Sequence, residues 1–290
     1  MKIKNGLAII GGSGIYDIEG LKDPKWIKVE SSFGEPSDEL LFGKIDERDI
    51  VFLPRHGRGH KIPPSDINYR ANIEILKKVG VKKIISFGAV GSFKESLKPG
   101  SFVLIDQFYD RTINRKKSFF GPGLAAHVQF AHPICSKMKK VLLKASHKTK
   151  INVIENGIYL AMEGPQFSTL AESNIYRNWG CDVIGMTNMP EAKLAREAEI
   201  CYATVAMVTD YDCWHPDHET VSVSEIIRVL SENSINAKNL LKNTIPLISQ
   251  EDEDLNCSCN ESLENAIITA PEARDPKMVN KLKYIAGRVL

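Results

Sequence analysis

The sequence predicts an α/β fold in which helices are layered on a β-sheet. Three observations predict it. Apolar β-like runs, glycine punctuation and segments of 3.6-residue periodicity alternate along the chain. The apolar runs are nearly continuous, as strands buried on both faces require. The composition is that of a globular protein, with 43% of the 290 residues hydrophobic and 26% charged.

The elements follow in order. Residues 7–10 form a buried strand that ends at Gly11-Gly12-Ser13-Gly14, and residues 50–53 a second that ends at Pro54-Arg55-His56-Gly57. Over 70–79, Ala71, Ile75, Leu76 and Val79 share one helical face, with Lys77 and Lys78 in the last turn and Gly80 as the stop. The strand 83–87 runs into Gly88-Ala89-Val90-Gly91. Residues 101–105, 158–162, 182–186 and 201–208 are further strands, β-branched or apolar throughout. A helix over 169–179 is signalled by Thr169 and Glu172 at capping-box spacing, by Ala171, Ile175 and Trp179 on one face, and by Gly180 beyond. Another starts at Pro190, a residue suited to the first helical position. From Ser222, Val223, Ile227, Leu230, Ala237, Leu241 and Ile245 recur every three or four residues until Pro246 disturbs them, which predicts a long helix packed on the sheet. Glu251-Asp252-Glu253-Asp254 and Leu255-Asn256 make a solvated linker before two short terminal helices. The helices after 222 are too few for a core of their own, so 1–290 is read as one domain whose 222–290 part is mainly helical.

Charge and hydropathy exclude several functions. With 38 Lys+Arg against 36 Asp+Glu, interspersed, the chain has no electrostatic footprint for a nucleic acid. The longest apolar stretches, 7–10 and 202–208, fall far short of the ~20 residues of a spanning helix, so no membrane partner is expected. Only four apolar residues follow the basic start before Gly11, too few for a signal-peptide core, which predicts a cytoplasmic protein. The six cysteines are scattered, four of them in apolar or strand-like surroundings where a thiol behaves as a small hydrophobe, and they are not read as a disulfide framework.

In an open α/β sheet, ligands bind beyond the carboxyl ends of the strands. That points to Ser13, Arg55, His56, Ala89, Met186, Thr187 and Asp210. Gly-Gly-Ser-Gly offers backbone N–H groups and a hydroxyl to an anion, although a tight structural turn explains it equally well. Asp17 stands where the dinucleotide fingerprint needs its third glycine, so neither nicotinamide nor flavin is expected. The loop Arg55-His56-Gly57-Arg58-Gly59-His60 suits a phosphate, with Arg58 read as solvated. Asp210 and Asp212 are either solvent-facing or poised for acid/base work, and spacing alone does not choose. Cys213, His215, Asp217 and His218 are metal-ligand types, yet their order matches no strong zinc signature and no metal is expected there.

Five segments in register, Gly12-Ser13-Gly14, Arg55-His56-Gly57, 162–168 (Met-Glu-Gly-Pro-Gln-Phe-Ser), Gly185-Met186-Thr187 and 209–214 (Thr-Asp-Tyr-Asp-Cys-Trp), together resemble the trimeric nucleoside phosphorylase family from about residue 7 to 248. The resemblance implies a central mixed β-sheet flanked by helices, assembled as a homotrimer or a dimer of trimers. It implies phosphorolysis of S-methyl-5'-thioadenosine to adenine and 5-methylthioribose-1-phosphate, a salvage reaction for purine and methionine. A purine nucleoside phosphorylase of broader specificity, acting on adenosine, inosine or guanosine, is the alternative. Inorganic phosphate is the implied co-substrate, with no cofactor. By the resemblance Ser13, Arg55, His56, the Ala89 backbone and the Thr187 hydroxyl hold phosphate, and Phe167, Ser168 and Met186 line the nucleoside. Asp210, its pKa raised beside Asp212, would protonate purine N7, and the acceptor carboxylate favours a 6-aminopurine over a 6-oxopurine. His127 reaches a neighbouring subunit's site, and Val223, Ile226 and Ile227 surround the methylthio group. Gly88 departs from the pattern, standing where many relatives have a hydroxyl or amide side chain. Cys257-Ser258-Cys259 resembles a pair found in some relatives, and is read as two ordinary thiols with a disulfide as the alternative. Two readings from other classes compete: a metal-dependent hydrolase using Asp210, Asp212, His215 and His218, which would not need phosphate, and a nucleoside-binding module that cleaves nothing.

Overall fold

Strand Gly6–Gly11 (β1) is buried at every position, as a strand covered on both faces must be. It is one of nine strands in a computed structural model that describes all residues except 1, 5, 13, 17, 217–222 and 252–256, and not the side chains of 223, 225 and 249–251. Along the chain follow Lys22–Ile27 (β2), Leu40–Ile45 (β3), Arg48–Pro54 (β4), helix Tyr69–Lys78 (α1), Val81–Ser92 (β5), Phe102–Arg111 (β6), helix Ser136–Ser146 (α2) and Val153–Met162 (β7). Helix Leu170–Asn178 (α3), Val183–Gly185 (β8), helix Asn188–Glu197 (α4), Cys201–Asp210 (β9) and helices Val223–Glu251 (α5), Pro276–Lys281 (α6) and Lys283–Ala286 (α7) complete the order.

The strands form one mixed sheet in the order β2-β3-β4-β1-β5-β8-β7-β6-β9. Strand β9 returns to pair with β5, so β5, β8, β7, β6 and β9 close on themselves while β1 to β4 extend as a wing. The central pairs β4, β1, β5 and β9 are parallel, and the edge pairs β2–β3 and β3–β4 are antiparallel. Helix α1 packs on α4, and α5 packs on α2 and β9. Among the described residues, no helix is long and apolar enough to cross a membrane.

The predicted α/β class and every predicted strand are present, with different lengths. The 101–105 strand continues to Arg111, and the 182–186 strand shrinks to three residues. Three elements had no prediction. Strand β2 is polar, exposed and contains Pro24, features of a sheet edge that hide it from an apolar-run criterion. Strand β3 is broken by Gly43, and α2 buries Met138, Val141, Leu142 and Ala145 beneath four lysines. Thr169 and Glu172 form the expected capping box, yet the apolar face of that helix is turned outward: Ile175 is 47% and Trp179 44% exposed, while Ser173 and Tyr176 face inward. Regular turns of α4 begin at Pro190 as expected, because Met189 before it has extended backbone angles. Pro246 does not end α5, since Leu247 and Ile248 beyond it are buried and outweigh one lost backbone hydrogen bond. Ser222, the expected start of the long helix, and most of the acidic linker lie outside the described residues.

Candidate active site

The parallel register brings the carboxyl ends of four strands side by side. Gly11 lies opposite Pro54, Ile10 opposite Ser86, Ala89 opposite Met207 and Gly91 opposite Asp210. The Arg55 N–H donates to the Gly11 carbonyl at 3.0 Å, which stitches the two predicted anion loops together. Ala89 is exposed in a strand whose other positions are buried or half-buried, so the sheet is open above it. The region contains Arg55, His56, Ala89, Thr187 and Asp210, as the strand-end rule predicts. Ser13 lies outside the described residues.

Arg55 is not the free anion-gripping arginine that its loop suggested. It is 1% exposed, and its Nε and Nη2 hold the Glu191 carboxylate of α4 at 2.7 and 3.0 Å. Nη2 also donates to Ser86 Oγ at 2.6 Å and Nη1 to the Phe87 carbonyl at 2.9 Å. These bonds use four of its five N–H groups and leave one on Nη1 to offer a ligand. Burial alone would lower its pKa, but the charge and hydrogen bonds of Glu191 raise it further above the ordinary arginine value. The network continues through Tyr202, whose hydroxyl donates to Glu191 Oε1 at 2.8 Å, and Asn188, whose amide donates to Tyr202 and Ser86 at 2.7 and 3.1 Å. It clamps the start of α4 onto β4, β5 and β9 and so fixes the position of Thr187, the N-cap residue.

Thr187 is buried and its side chain does not cap its own helix. A Cβ built on Gly88 would lie 3.5 Å from the Thr187 hydroxyl with nothing else within 4 Å, so Gly88 leaves space in front of that hydroxyl. His56 is also buried. Its Nδ1 lies 2.8 Å from the Ile62 carbonyl, which requires Nδ1–H to be the donor and leaves Nε2 as an acceptor in the neutral ring. Burial, followed by the neighbouring Arg55 charge, lowers its pKa to about 4. At neutral pH this histidine therefore offers Nε2 as an acceptor and supplies no positive charge.

Asp210 accepts from the Thr209 hydroxyl at 2.7 Å and from the Asp212 N–H at 2.8 Å. Asp212 is buried, with a left-handed φ of 52°, and burial together with the Asp210 charge pushes its pKa up to about 6. The Asp212 carboxyl is thus held closer to its protonated form than an ordinary aspartate, directly beside Asp210. Gly91 makes the pair possible: a Cβ there would lie 2.9 Å from Asp210 Oδ1 and 3.3 Å from Asp212 Cβ. The Cys213 thiol donates to the Ser168 carbonyl at 3.4 Å, which sets the Phe167-Ser168 loop beside the carboxylates.

Met186 is half-buried, and its carbonyl is held by Arg115 Nη1 at 2.5 Å. The same guanidinium donates to the carbonyls of Met189 and Glu163 at 2.7 Å each, so Arg115 fixes both the Met186 and the 163–168 loops. Arg115, Glu191, Asn188 and Ser86 had no signal in the sequence, because each lies away from its partners along the chain. Phe167 is half exposed, His127 is exposed, Ile226 is half-buried and Ile227 is 60% exposed, so a single chain leaves these four predicted substrate contacts uncovered. The side chain of Val223 is not described.

Of the predicted metal alternative, Cys213 is engaged with Ser168 and His215 stacks on Tyr211 at 4.7 Å, while Asp217 and His218 lie outside the described residues. The cysteines are not scattered in space. Cys135, Cys201, Cys257 and Cys259, all buried, place their sulfur atoms within 4.8 Å of one another.

Residues 7–246 match the phosphorylase superfamily. The S-methyl-5'-thioadenosine phosphorylase of Rhodospirillum rubrum is 56% identical over 284 residues, 98% of this chain and 97% of that protein. A methylthioadenosine phosphorylase from an antarctic soil metagenomic library superposes with a TM-score of 0.93 at 42% identity, over 98% of this chain and 99% of that one. The methylthioadenosine phosphorylase from Schistosoma mansoni, solved in complex with adenine, gives 0.81 at 35% identity over 90% and 97%. Matched over residues 7–246 and similar in sequence and fold to these enzymes over nearly its whole length, the chain belongs to the phosphorylase superfamily.

Proposed function

We propose that the chain catalyses phosphorolysis of S-methyl-5'-thioadenosine to adenine and 5-methylthioribose-1-phosphate. The observation that carries this reading is the adjacency, across the β5–β9 register, of an anion cradle at Gly88-Ala89 and Thr187 and a carboxyl pair in which Asp212 keeps a proton near pH 6. Phosphate is held by the fifth N–H of Arg55, the Ala89 backbone, the Thr187 hydroxyl and Ser13. His56 Nε2 accepts from the phosphate O–H or from a ribose hydroxyl. As the C1'–N9 bond breaks, positive charge builds on the ribose and the phosphate beneath stabilises it before its oxygen bonds to C1'. The leaving purine takes a proton at N7 from the Asp210–Asp212 pair, and that protonation makes adenine a competent leaving group. The carboxylate also accepts from a 6-amino group, which favours adenine over hypoxanthine or guanine.

Phosphate is the co-substrate and no further cofactor is invoked. We infer a homotrimer, alone or paired into a dimer of trimers. The exposed apolar side chains Phe167, Leu170, Ile175 and Trp179 support assembly, since they crowd the segment 167–179 and include a proposed substrate contact. His127 and Ile227 would be covered in the same way. The test is adenine release from S-methyl-5'-thioadenosine with phosphate present or omitted, with inosine alongside. Phosphate-dependent release with little action on inosine is expected. Release that ignores phosphate would remove the roles given to Arg55, His56 and Thr187.

A further inference from the structure

We propose that Cys135, Cys201, Cys257 and Cys259 form a structural zinc site. The four come from three separate parts of the chain. Cys135 is the residue before α2, Cys201 opens β9, and Cys257 and Cys259 flank the start of a 3₁₀ turn after α5. All four are buried, free thiols whose sulfur atoms lie within 4.8 Å of one another.

Four thiolates are a soft donor set for which a tetrahedral zinc ion is the fitting class of metal. A tetrahedron of Zn–S bonds of ~2.3 Å has sulfur–sulfur edges of ~3.8 Å. The Cys135 and Cys257 sulfurs are 3.6 Å apart, close to that edge. The widest separation, 4.8 Å, closes to it with a movement of about 1 Å. An entry path exists, since Cys135, Cys257 and Cys259 line a cavity of about 220 Å³ that also contains Lys139 and Arg196. Lys139 is paired there with Asp106 at 2.5 Å, and Arg196 remains to offset part of the excess negative charge of four thiolates on one divalent ion. The N-terminus of α2, at Cys135, adds a favourable dipole.

The location makes the site structural. Cys201 and Asp210 are the two ends of β9, a ten-residue strand, so the cluster lies ~30 Å from the carboxylate pair. Four protein ligands leave no open coordination position for chemistry. What the metal joins is the segment after α5 to the sheet. This changes the reading of Cys257 and Cys259 as ordinary thiols.

The test uses the full chain, assembled and purified without a metal-binding tag. Elemental mass spectrometry should find about one zinc per chain, retained through gel filtration. Cys257→Ser together with Cys259→Ser should lower bound zinc at least about tenfold, whereas Cys181→Ala, at a buried cysteine outside the cluster, should retain it. Because the double variant can misfold, the wild-type protein carries an independent readout: reduced, metal-stripped chain given cobalt(II) should show the visible absorption of tetrahedral cobalt thiolate. Stripping should also lower Tm and quicken proteolysis after residue 256, with the KM for nucleoside little changed. Less than about 0.1 zinc per chain together with no cobalt–thiolate bands would overturn the proposal. So would alkylation at lysis that finds disulfides among these four cysteines.

Discussion

The buried Arg55–Glu191 pair has two roles that a double-mutant cycle separates. Arg55→Met leaves Glu191, 2% exposed, as an uncompensated charge, and Glu191→Met does the same to Arg55. Each single change should cost about 3–5 kcal/mol. The double variant removes both charges and returns an apolar contact of similar volume. It still leaves Ser86, Tyr202 and the Phe87 carbonyl short of a partner, at about 1 kcal/mol each. Its total cost should therefore fall short of the sum of the singles by at least about 2 kcal/mol. Urea unfolding followed by the fluorescence of Trp26, Trp179 and Trp214 measures the three values. Function should not recover with stability. The lost charge-assisted N–H to phosphate is worth about 1.5–3 kcal/mol, a 10- to 150-fold rise in the KM for phosphate in the double variant. Costs that add to within about 0.5 kcal/mol would refute the coupling. A double variant with wild-type phosphate KM would refute the anion-binding role.

Other outcomes follow from neighbouring residues. Gly88→Ser should fold normally, since its Cβ meets only the Thr187 hydroxyl at 3.5 Å, and should lower the KM for phosphate several-fold; a raised KM would mean that the space is needed empty. Gly91→Ala should displace the carboxylate pair and cut kcat by at least about tenfold while circular dichroism stays unchanged. Asp212 has a folded pKa of about 6 against an ordinary 3.8, so the folded chain binds the extra proton and stability falls as pH rises between these values. Asp212→Asn, which tolerates the left-handed backbone, should abolish that fall, and unfolding free energies from pH 4 to 8 check it. His56 acts in the opposite sense: its pKa drops from 6.5 to about 4 on folding, so stability is lost as pH falls through that window, and His56→Gln should flatten the acid limb.

The sequence was most informative where local chemistry determines structure. The capping box at Thr169 and Glu172, the start of α4 at Pro190 and the strands ending at Gly11, Pro54 and Asp210 follow from short-range rules. The same strand ends single out Arg55, His56, Ala89, Thr187 and Asp210, which the strand pairing then brings to one end of the sheet. What could not be read is what the fold brings together from a distance. Glu191 meets Arg55 across 136 residues, and Arg115 reaches loops 48 and 71 positions away. Their partners depend on which strands become neighbours. The outward face of α3 misled for a related reason, because periodicity reports that a face is apolar and not whether it meets this chain or another. The cysteine cluster is the extreme case: its members are 66, 56 and 2 residues apart in sequence, and only the meeting of β9, α2 and the C-terminal segment makes them a group.

Ala89 supplies a practical consequence. It is the exposed position of β5, which is held by β1 as far as Ser86 and by β9 at Ala89 itself, so the backbone beneath the opening is anchored in the sheet and a single methyl group faces the opening. A leucine there would extend into solvent-filled space without disturbing the buried sheet. Such a chain should keep its fold yet have its opening plugged, which supplies a matched inactive protein for the activity assays above.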